Sequence, residues 1–598
     1  MNQTSRFKPV PFERLASAWL GVLTKEYPES RYADANLDRM INVAIGRMTL
    51  NISPTAIAMA YFDWLIHLSL SPSKQQKLAQ KALQQGLRWQ TYAVDATKSD
   101  EAEQPHCIVP LPQDKRFNDP AWRALPFNVM SQGFLLTQQW WHRATTGVHG
   151  VSHHHEDVVT FTVRQILDTL SPSNFLLTNP VVLRETRNSH GANLLHGAGN
   201  VFADGERYLT GGNPRALDAF QVGQNIAVSP GKIVFRNRLI ELIQYEANSR
   251  TVHVTPVLFV PAWIMKYYIL DLSPQNSLVK YLVDHGYTVF MISWKNPQAE
   301  DRDLSMEDYR TLGVMAAIDT ISALTHAPQI NAAGYCLGGT LLSIAAAAMA
   351  RDDDLRLSSV TLFATQVDFK EPGELSIFID ESQVSFLEAI MWEQGYLDTR
   401  QMAGAFQLLR SNDLIWSRRL NQYLLGLSET GTDMMAWNAD ATRMPYRMHT
   451  EYLHDLFLHN NLAEGRYRAG GRPIALTDIR VPIFAVGTLT DHVAPWRSAF
   501  KIQLLTDTEV TFLLTSGGHN AGVVSPPGHP RRSYQIAVQS HQNTYVDAES
   551  WQATASHHEG SWWPAWLAWI EERSGESTSA RIIPSALCDA PGTYVLQQ

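Results

Sequence analysis

Cys336 stands in residues 334–339, Gly-Tyr-Cys-Leu-Gly-Gly, between a short apolar run and a helical segment rich in small residues. This arrangement is typical of a nucleophile elbow, a sharp strand-to-helix turn that exposes a reactive side chain. The flanking glycines allow neighbouring backbone to pass close to the turn. The positive end of the following helix favours thiolate over thiol. The pattern therefore predicts nucleophilic catalysis by a cysteine, in preference to a buried structural cysteine.

Asp491 and His519 follow Cys336 in the order in which an acid and a base follow the nucleophile of such an elbow. Asp491 comes after the apolar run 483–486, and His519 comes after the run 510–514 in a Ser-Gly-Gly-His turn. Either residue alone is commonplace, but their joint order and placement are specific. We predict that His519 is the general base and that Asp491 orients it.

The acyl chemistry of this kind of site also needs an oxyanion hole. One donor is the backbone N–H of the residue after the nucleophile, and the other comes from the loop after an early strand. Leu337 provides the first donor. The loop 261–266, Pro-Ala-Trp-Ile-Met-Lys, is expected to provide the second, with Trp263 as the predicted donor.

The remaining histidines and cysteines receive lesser roles. His492 competes with His519 for the role of base, but a residue directly after the acid is expected to point elsewhere, so we assign it a supporting or structural role. The run 153–155 is His-His-His, yet three consecutive side chains project in different directions and lack a spaced partner, so no metal site is predicted. Cys107 and Cys588 lack glycine turns and are interpreted as packing residues.

The composition excludes several classes of protein. With 49 basic and 58 acidic residues, the net charge of −9 argues against nucleic-acid binding. Three cysteines in 598 residues cannot form a disulfide framework, which favours a reducing cytoplasm. The apolar stretch 15–23 lacks a signal-cleavage pattern, and no run is long enough to span a membrane. Any contact with a membrane or granule is therefore expected to be peripheral.

The chain contains two regions that differ in sequence pattern. Helical patterns dominate the first third, including two helices expected to begin at the Ser-Pro pairs 53–54 and 71–72, each of which is expected to supply a cap and a preset first turn. The Gly- and Pro-containing stretch 209–214 is the predicted boundary, which gives an aromatic-rich helical domain at 1–212 and a catalytic domain at 213–598.

The second region alternates short β-branched runs with helical segments, which indicates a mainly parallel sheet. The predicted strands are 257–260, 288–293, 330–333, 360–364, 483–486 and 510–514. About a hundred helical residues interrupt the alternation at about 366–472, and we interpret them as a cap over the site. The prediction is an α/β-hydrolase fold with a helical cap insertion, preceded by a mainly helical N-terminal domain.

Several blocks of the chain resemble class I polyhydroxyalkanoate synthases. These are GYCLGGT, DHVAPW and GGHNAGVVSPPG around the three predicted catalytic residues, together with residues 266–297, FNVMSQGFLL and SPSNFLLTNP. The resemblance extends over nearly the whole chain. The loop after the early strand departs from the family pattern, because Ala262 and Met265 stand where a second proline and an asparagine are common. A side-chain hydrogen bond from that asparagine is therefore not expected here.

The resemblance implies an acylated nucleophile at Cys336, a base at His519 and its carboxylate partner at Asp491, with no cofactor. It also implies that (R)-3-hydroxyacyl-CoA, with a short chain such as 3-hydroxybutyryl, is polymerised into polyester with release of CoA. A homodimer in the cytoplasm, associated with polymer granules, is implied as well. The aromatic N-terminal domain is then expected to contact the granule or a partner and to support the dimer.

Cysteine suits this reaction because the exchange of one thioester for another has a free-energy change near zero. A hydroxyl then converts the thioester into a more stable ester. Two alternatives remain open from the sequence. One is a hydrolase of the same fold, acting as a thioesterase or a polyester depolymerase. The other is a catalytically silent protein that coats granules through its aromatic N-terminal region.

Overall fold

The computed structural model describes residues 35–49, 51–98, 105–210, 212, 214–409, 411–540, 544–581, 583 and 586–598. The apolar stretch 15–23 lies outside the described residues, as does part of the predicted boundary 209–214. None of the described helices is long and apolar enough to cross a membrane.

The catalytic region is built on one large sheet. Its strands are β1 Gly231–Arg236, β2 Ile240–Tyr245, β3 Val257–Val260, β4 Val289–Trp294, β5 Ile330–Tyr335, β6 Leu357–Phe363, β7 Ile483–Thr488, β8 Val510–Thr515, β9 Ser533–Gln539, β10 Ser556–Glu559 and β11 Cys588–Asp589. Their order across the sheet is β10-β9-β8-β7-β6-β5-β3-β4-β2-β1-β11. Strands β3 to β8 pair in parallel, and the outer strands pair antiparallel.

All the predicted strands are present, and they form the parallel centre of the sheet. The sequence prediction missed the antiparallel edges. β3, β4, β5, β7 and β8 are buried along their whole length, which produces continuous apolar runs. β9, by contrast, is half-buried except at the exposed Val538, and its sequence is the polar and apolar mixture Ser-Tyr-Gln-Ile-Ala-Val-Gln, so its pattern is weak.

Helices cover both faces of this sheet and form two apolar cores with it. The main ones are Leu278–Asp284, Met306–Asp308, Ala316–Thr325, Leu337–Arg351, Trp496–Phe500, Ile502–Leu505, His519–Val523, Ala548–Thr554 and Trp563–Glu571. Trp562, Trp563 and Trp566 are almost fully buried on one face. The indole N–H groups of Trp562 and Trp563 donate to the carbonyls of Gly522 and Val523, next to the catalytic loop.

The segment between β6 and β7 is mainly helical and lies over the carboxyl edge of the sheet. Its α-helices are Glu381–Gln394, Thr399–Leu409, Asp433–Asn438 and Tyr446–Tyr452, and π-helical turns follow at Asn412–Trp416, Arg419–Leu424 and Leu453–Leu458. This segment is where the sequence predicts a cap.

The N-terminal region contains the helices Ala35–Met48, Pro54–Ser69, Pro72–Ala96, Phe127–Thr145, His153–Thr169, Pro180–Asn188 and Ala192–Thr210. Both helices predicted from Ser-Pro pairs are present. The hydroxyl of Ser53 caps its helix by accepting from the N–H of Ala56 at 3.3 Å. Ser71 makes no such cap and instead donates to the carbonyl of His67 at 2.7 Å, so that part of the prediction was wrong.

Candidate active site

Cys336 occupies a strained turn between β5 and the helix Leu337–Arg351. Its φ of 52° and ψ of −122° lie in a region that non-glycine residues rarely adopt. The turn is held by the N–H of Cys336, which donates to the carbonyl of Phe363 at 2.9 Å, and by the hydroxyl of Thr365, which donates to the carbonyl of Cys336 at 3.2 Å. The side chain is thereby presented at the carboxyl edge of the sheet.

The glycines around the elbow are sterically required. A Cβ atom on Gly334 would overlap the backbone of Gly339, and one on Gly338 would overlap the carbonyl of Val260 in β3. A Cβ atom on Gly339 would overlap the side chain of Thr365. The close backbone approach predicted from the sequence is therefore present in the structure.

Asp491 and His519 lie at the ends of two neighbouring parallel strands, β7 and β8. The N–H at Nδ1 of His519 donates to Oδ2 of Asp491 at 2.8 Å. The other oxygen of Asp491 accepts the N–H groups of Val493 and Ala494, each at 2.9 Å, and the hydroxyl of Thr488 donates to Oδ2 at 2.7 Å. These donors fix the carboxylate, which in turn fixes the orientation of the imidazole.

The three side chains are electrostatically coupled. Burial on its own lowers the pKa of His519, but the negative charges of Asp491 and Cys336 and hydrogen bonds to both raise that pKa well above its usual value. Burial on its own raises the pKa of Asp491, but the charge and hydrogen bond of His519 bring it below its usual value. Both neighbours thus favour the protonated form of His519, with Nδ1 facing the carboxylate of Asp491.

A further contact orients the loop that carries His519, and the sequence analysis did not find it. The hydroxyl of Tyr335, the residue before the nucleophile, donates to Oδ1 of Asn520 at 2.6 Å. The amide of Asn520 donates to Asn438 at 3.2 Å, which joins this loop to the helical segment above the site. The ring centroids of Tyr335 and His519 are 5.6 Å apart. Tyr335 and Asn520 are adjacent in sequence to Cys336 and His519, which is the signal that could have found them.

The predicted oxyanion donors differ in their surroundings. Leu337 is the first residue of its helix, so its N–H has no helical acceptor, and it lines the cavity beside Cys336. Trp263 has its side chain in the core, 1% exposed, and the hydroxyl of Thr442 donates to its carbonyl. Its neighbour Ile264 is the residue of this loop that lines the cavity. Trp263 stays a prediction as the second donor.

The other histidines singled out in the sequence have contacts other than the hydrogen bond between Asp491 and His519. The carbonyl of His492 accepts the N–H of Glu374 at 3.1 Å. His154 pairs with Asp380 at 3.1 Å, and His155 pairs with Asp63 at 2.6 Å. In the part of the chain that the structure describes, no group of three or more His, Cys, Asp or Glu side chains is arranged to hold a metal ion.

A largely apolar cavity opens above Cys336. It contains about 1120 Å³ of empty space, part of it open to solvent. Its apolar lining comes mostly from the segment between β6 and β7 and includes Phe369, Leu375, Phe378, Ile379, Leu387, Leu397, Met402, Met444, Leu453 and Phe457. Such a lining suits an aliphatic acyl group or chain and displaces water from the nucleophile.

The N-terminal region completes this cavity. Asn51 and Ile52 belong to its lining. The carbonyl of Asn51 accepts from the side-chain amide of Gln383 at 2.9 Å, and the N–H of Ser53 donates to the same side chain at 2.7 Å. The amide of Gln401 donates to the side chain of Asn51 at 3.2 Å. Two distant parts of the sequence therefore contribute to the cavity lining.

Family models match three parts of the chain. Residues 32–74 match "Poly-beta-hydroxybutyrate polymerase N terminal", residues 113–282 match "Poly-beta-hydroxybutyrate polymerase (PhaC) N-terminus", and residues 255–526 match "alpha/beta hydrolase fold". The last match agrees with the parallel sheet and the elbow, so the catalytic region has the α/β-hydrolase fold.

Curated relatives cover most of the chain. The poly(3-hydroxyalkanoate) polymerase of Methylorubrum extorquens is 42% identical over 84% of this chain and 84% of its own length. The poly(3-hydroxyalkanoate) polymerase subunit PhaC of Rhizobium meliloti (strain 1021) is 40% identical over 81% of this chain and 79% of its own length. Among solved structures, an alpha/beta fold family hydrolase from Bacillus anthracis str. Sterne is 15% identical over 49% of this chain and 94% of its own, with a TM-score of 0.30.

Proposed function

Because this chain belongs to the poly(3-hydroxyalkanoate) polymerase family, we propose that it polymerises short-chain (R)-3-hydroxyacyl groups from CoA thioesters through a covalent acyl-Cys336 intermediate. Cys336 is the proposed nucleophile, His519 the general base and acid, and Asp491 the carboxylate that orients His519. The observation that carries this assignment is the 2.8 Å hydrogen bond between His519 and Asp491 beside a cysteine in an elbow.

In the first step the thiolate of Cys336 attacks the thioester carbonyl of the acyl-CoA. The carbonyl oxygen becomes an oxyanion, for which the N–H of Leu337 and an N–H of the loop 261–266, at Trp263 or Ile264, are the proposed donors. The intermediate collapses by breaking the bond to the CoA sulfur, and the imidazolium of His519 gives its proton to that sulfur. CoA leaves as a thiol, and the acyl group remains on Cys336 beside a neutral His519.

In the second step neutral His519 removes the proton from the 3-hydroxyl of another hydroxyacyl-CoA. That oxygen attacks the acyl-Cys336 carbonyl, an ester bond forms, and Cys336 leaves as a thiolate paired with the imidazolium. The product is a chain longer by one unit that ends in a CoA thioester. Transfer of this chain to Cys336 by the first step releases CoA and completes the cycle.

Transfer to a hydroxyl must compete with transfer to water, and the cavity supports the proposed outcome. Its lining is mostly apolar and comes from the helical segment above the elbow and from Asn51 and Ile52. An apolar enclosure excludes water and accepts an aliphatic polyester. A hydrolase would instead need water at the acyl-Cys336 carbonyl.

The experiment that tests the proposal measures three products from 3-hydroxybutyryl-CoA: released CoA, free hydroxy acid and polymer. We expect CoA release with polymer in near-stoichiometric yield and an acyl adduct on Cys336 by mass spectrometry. Free hydroxy acid as the main product would identify a thioesterase. Absence of any CoA release would favour the reading of a silent granule-coating protein.

We also propose that the N-terminal region contacts the polymer granule. Leu195, Phe202 and Leu209 recur every seven residues on the helix Ala192–Thr210, which places them on one face, and they are 76%, 79% and 85% exposed. An exposed apolar stripe of this kind fits an aliphatic polyester surface.

Replacing all three residues of this stripe with serine is expected to reduce co-sedimentation with poly(3-hydroxybutyrate) particles while leaving CoA release intact. The matched control is Leu355→Ser, which changes a leucine that is 78% exposed elsewhere on the catalytic region. Unchanged co-sedimentation of the triple variant would contradict the proposal.

We further propose that the active assembly is a homodimer, as the family resemblance implies. Analytical ultracentrifugation with and without substrate analogue tests this proposal. A monomer at all active concentrations would contradict it.

A further inference from the structure

His449 is a buried histidine in the cavity above Cys336 that the proposed mechanism does not use. It lies on the helix Tyr446–Tyr452, lines the cavity and is 2% exposed. Its Nδ1 atom is buried and has no hydrogen-bond partner within the described residues. Buried polar atoms are nearly always paired in folded proteins, so an unpaired one in a cavity lining is available to pair with a bound ligand.

The imidazole of His449 is neutral at physiological pH. Burial lowers its pKa to about 3, and no charged group offsets that effect. A neutral imidazole has one N–H donor and one acceptor nitrogen. It therefore suits a neutral polar group of a ligand, and it does not suit a carboxylate or a phosphate, which would need a positive charge.

Tyr452 connects His449 to the nucleophile. The ring centroids of His449 and Tyr452 are 5.8 Å apart, and both residues line the same cavity as Cys336. Burial and the charge of Cys336 raise the pKa of Tyr452 well above its usual value, so Tyr452 lies within electrostatic range of the nucleophile. An acyl group attached to Cys336 and extending into the cavity thus enters the space that His449 also lines.

We propose that His449 forms a hydrogen bond with the 3-hydroxyl of the acyl group as that group is loaded onto Cys336, and so selects hydroxyacyl over plain acyl thioesters. A hydroxyl both donates and accepts, which matches a neutral imidazole. The apolar side chains around it match the aliphatic remainder of a short acyl group. The inference rests on the proposed function and adds the residue that recognises the hydroxyl of the substrate.

The test compares first-turnover CoA release from 3-hydroxybutyryl-CoA and from butyryl-CoA, which lacks the hydroxyl and can acylate Cys336 but cannot extend a chain. The wild-type protein is expected to prefer the hydroxy substrate by roughly 10- to 100-fold, as expected for one buried hydrogen bond. His449→Phe keeps a planar ring without polar atoms. It is expected to reduce the preference to within about threefold by slowing only the hydroxy substrate.

Two further variants separate recognition from structure. Met448→Leu changes a buried neighbour that does not line the cavity, and it should leave the preference unchanged. His449→Asn returns a donor and an acceptor near the position of Nδ1 and should restore part of the preference. A structural role alone would slow both substrates equally in His449→Phe, and that result would overturn the inference.

The failure of this inference is distinguishable from the failure of the proposed function. Equal wild-type rates for the two substrates, with polymer still made from 3-hydroxybutyryl-CoA, would overturn the role of His449 and leave the polymerase mechanism in place. Absence of an acyl-Cys336 adduct with either substrate would overturn the mechanism on which the inference rests.

Discussion

Nδ1 of His519 lies 2.8 Å from Oδ2 of Asp491, and the Asp491 side chain is fully buried. The carboxylate accepts three more hydrogen bonds, from two backbone N–H groups and from the hydroxyl of Thr488. Asp491 therefore has little freedom to rotate, and it presents one oxygen to the imidazole. Because Nδ1 of His519 is hydrogen-bonded to the carboxylate, Nε2 is the nitrogen left to face Cys336.

Asp491→Asn is expected to lower the rate of CoA release by roughly 10³- to 10⁴-fold, because an amide cannot stabilise the imidazolium and favours the wrong tautomer of His519. The rate is measured with 3-hydroxybutyryl-CoA, and folding is checked by circular dichroism. Asp319→Asn is the matched control, since Asp319 is 65% exposed and pairs with Arg356 on the surface. A near-wild-type rate for Asp491→Asn would remove this residue from the mechanism.

His519→Ala and His492→Ala distinguish the two histidines that compete for the role of base. We expect His519→Ala to lower CoA release by at least about 10³-fold, because both proton transfers are lost. His492→Ala is expected to cost less than about tenfold, because the hydrogen bond to Asp491 that orients the proposed base is made by His519. Equal losses in the two variants would make the assignment of the base unsafe.

Cys336→Ser separates thiol chemistry from the geometry of the elbow. Serine has a similar shape, but its hydroxyl does not ionise as a thiol does, and the ester it forms is a poorer acyl donor than a thioester. Polymer formation is expected to fall by at least about 10³-fold. Slow acylation or hydrolysis through His519 can persist, and mass spectrometry of the variant should then detect an acyl-serine adduct. Wild-type polymer yield would contradict thioester interchange as the reason for cysteine.

Deletion of residues 1–212 is expected to leave a folded catalytic region that no longer makes polymer efficiently. Among the residues that the structure describes, those of the two large apolar cores all lie at 217 or beyond, so the sheet and its helices keep their packing. The cavity, however, loses Asn51 and Ile52. Circular dichroism and polymer yield are measured, and deletion of residues 1–34, which keeps Asn51 and Ile52, is the control. An insoluble remainder would mean that the two regions share one core.

The buried neutral His449 is expected to make folding sensitive to acid. Its pKa is about 3 in the folded protein against 6.5 when exposed, so the folded state binds fewer protons than the unfolded state between these values. Stability contributed by the neutral imidazole is present above about pH 6.5 and is lost as the pH falls.

Between pH 7 and pH 5 the wild-type protein should therefore lose about 2 kcal/mol more unfolding free energy than His449→Phe. Thermal melts of both proteins at the two pH values measure this difference. Parallel losses would show that His449 is already solvated in the folded state.

The sequence alone indicated the proposed catalytic residues and determined the strands that carry them. Residues close together in the chain define a strand, the loop that follows it and the glycines of an elbow. The order Cys336, Asp491, His519 and the six central strands could therefore be predicted. Fully buried parallel strands also leave continuous apolar runs, which are the easiest strands to recognise.

Only the tertiary structure decided what surrounds the nucleophile. Asn51 and Ile52 line the cavity where hydrogen bonds from Asn51 and Ser53 to Gln383 join the two regions, and no local pattern encodes contacts more than three hundred residues apart. In the sequence, nothing distinguishes His449 from other polar residues of a short helix. Its Nδ1 atom is buried without a partner among the described residues because the packed segment above the sheet removes the ring from water. That burial depends on contacts between residues distant in the chain.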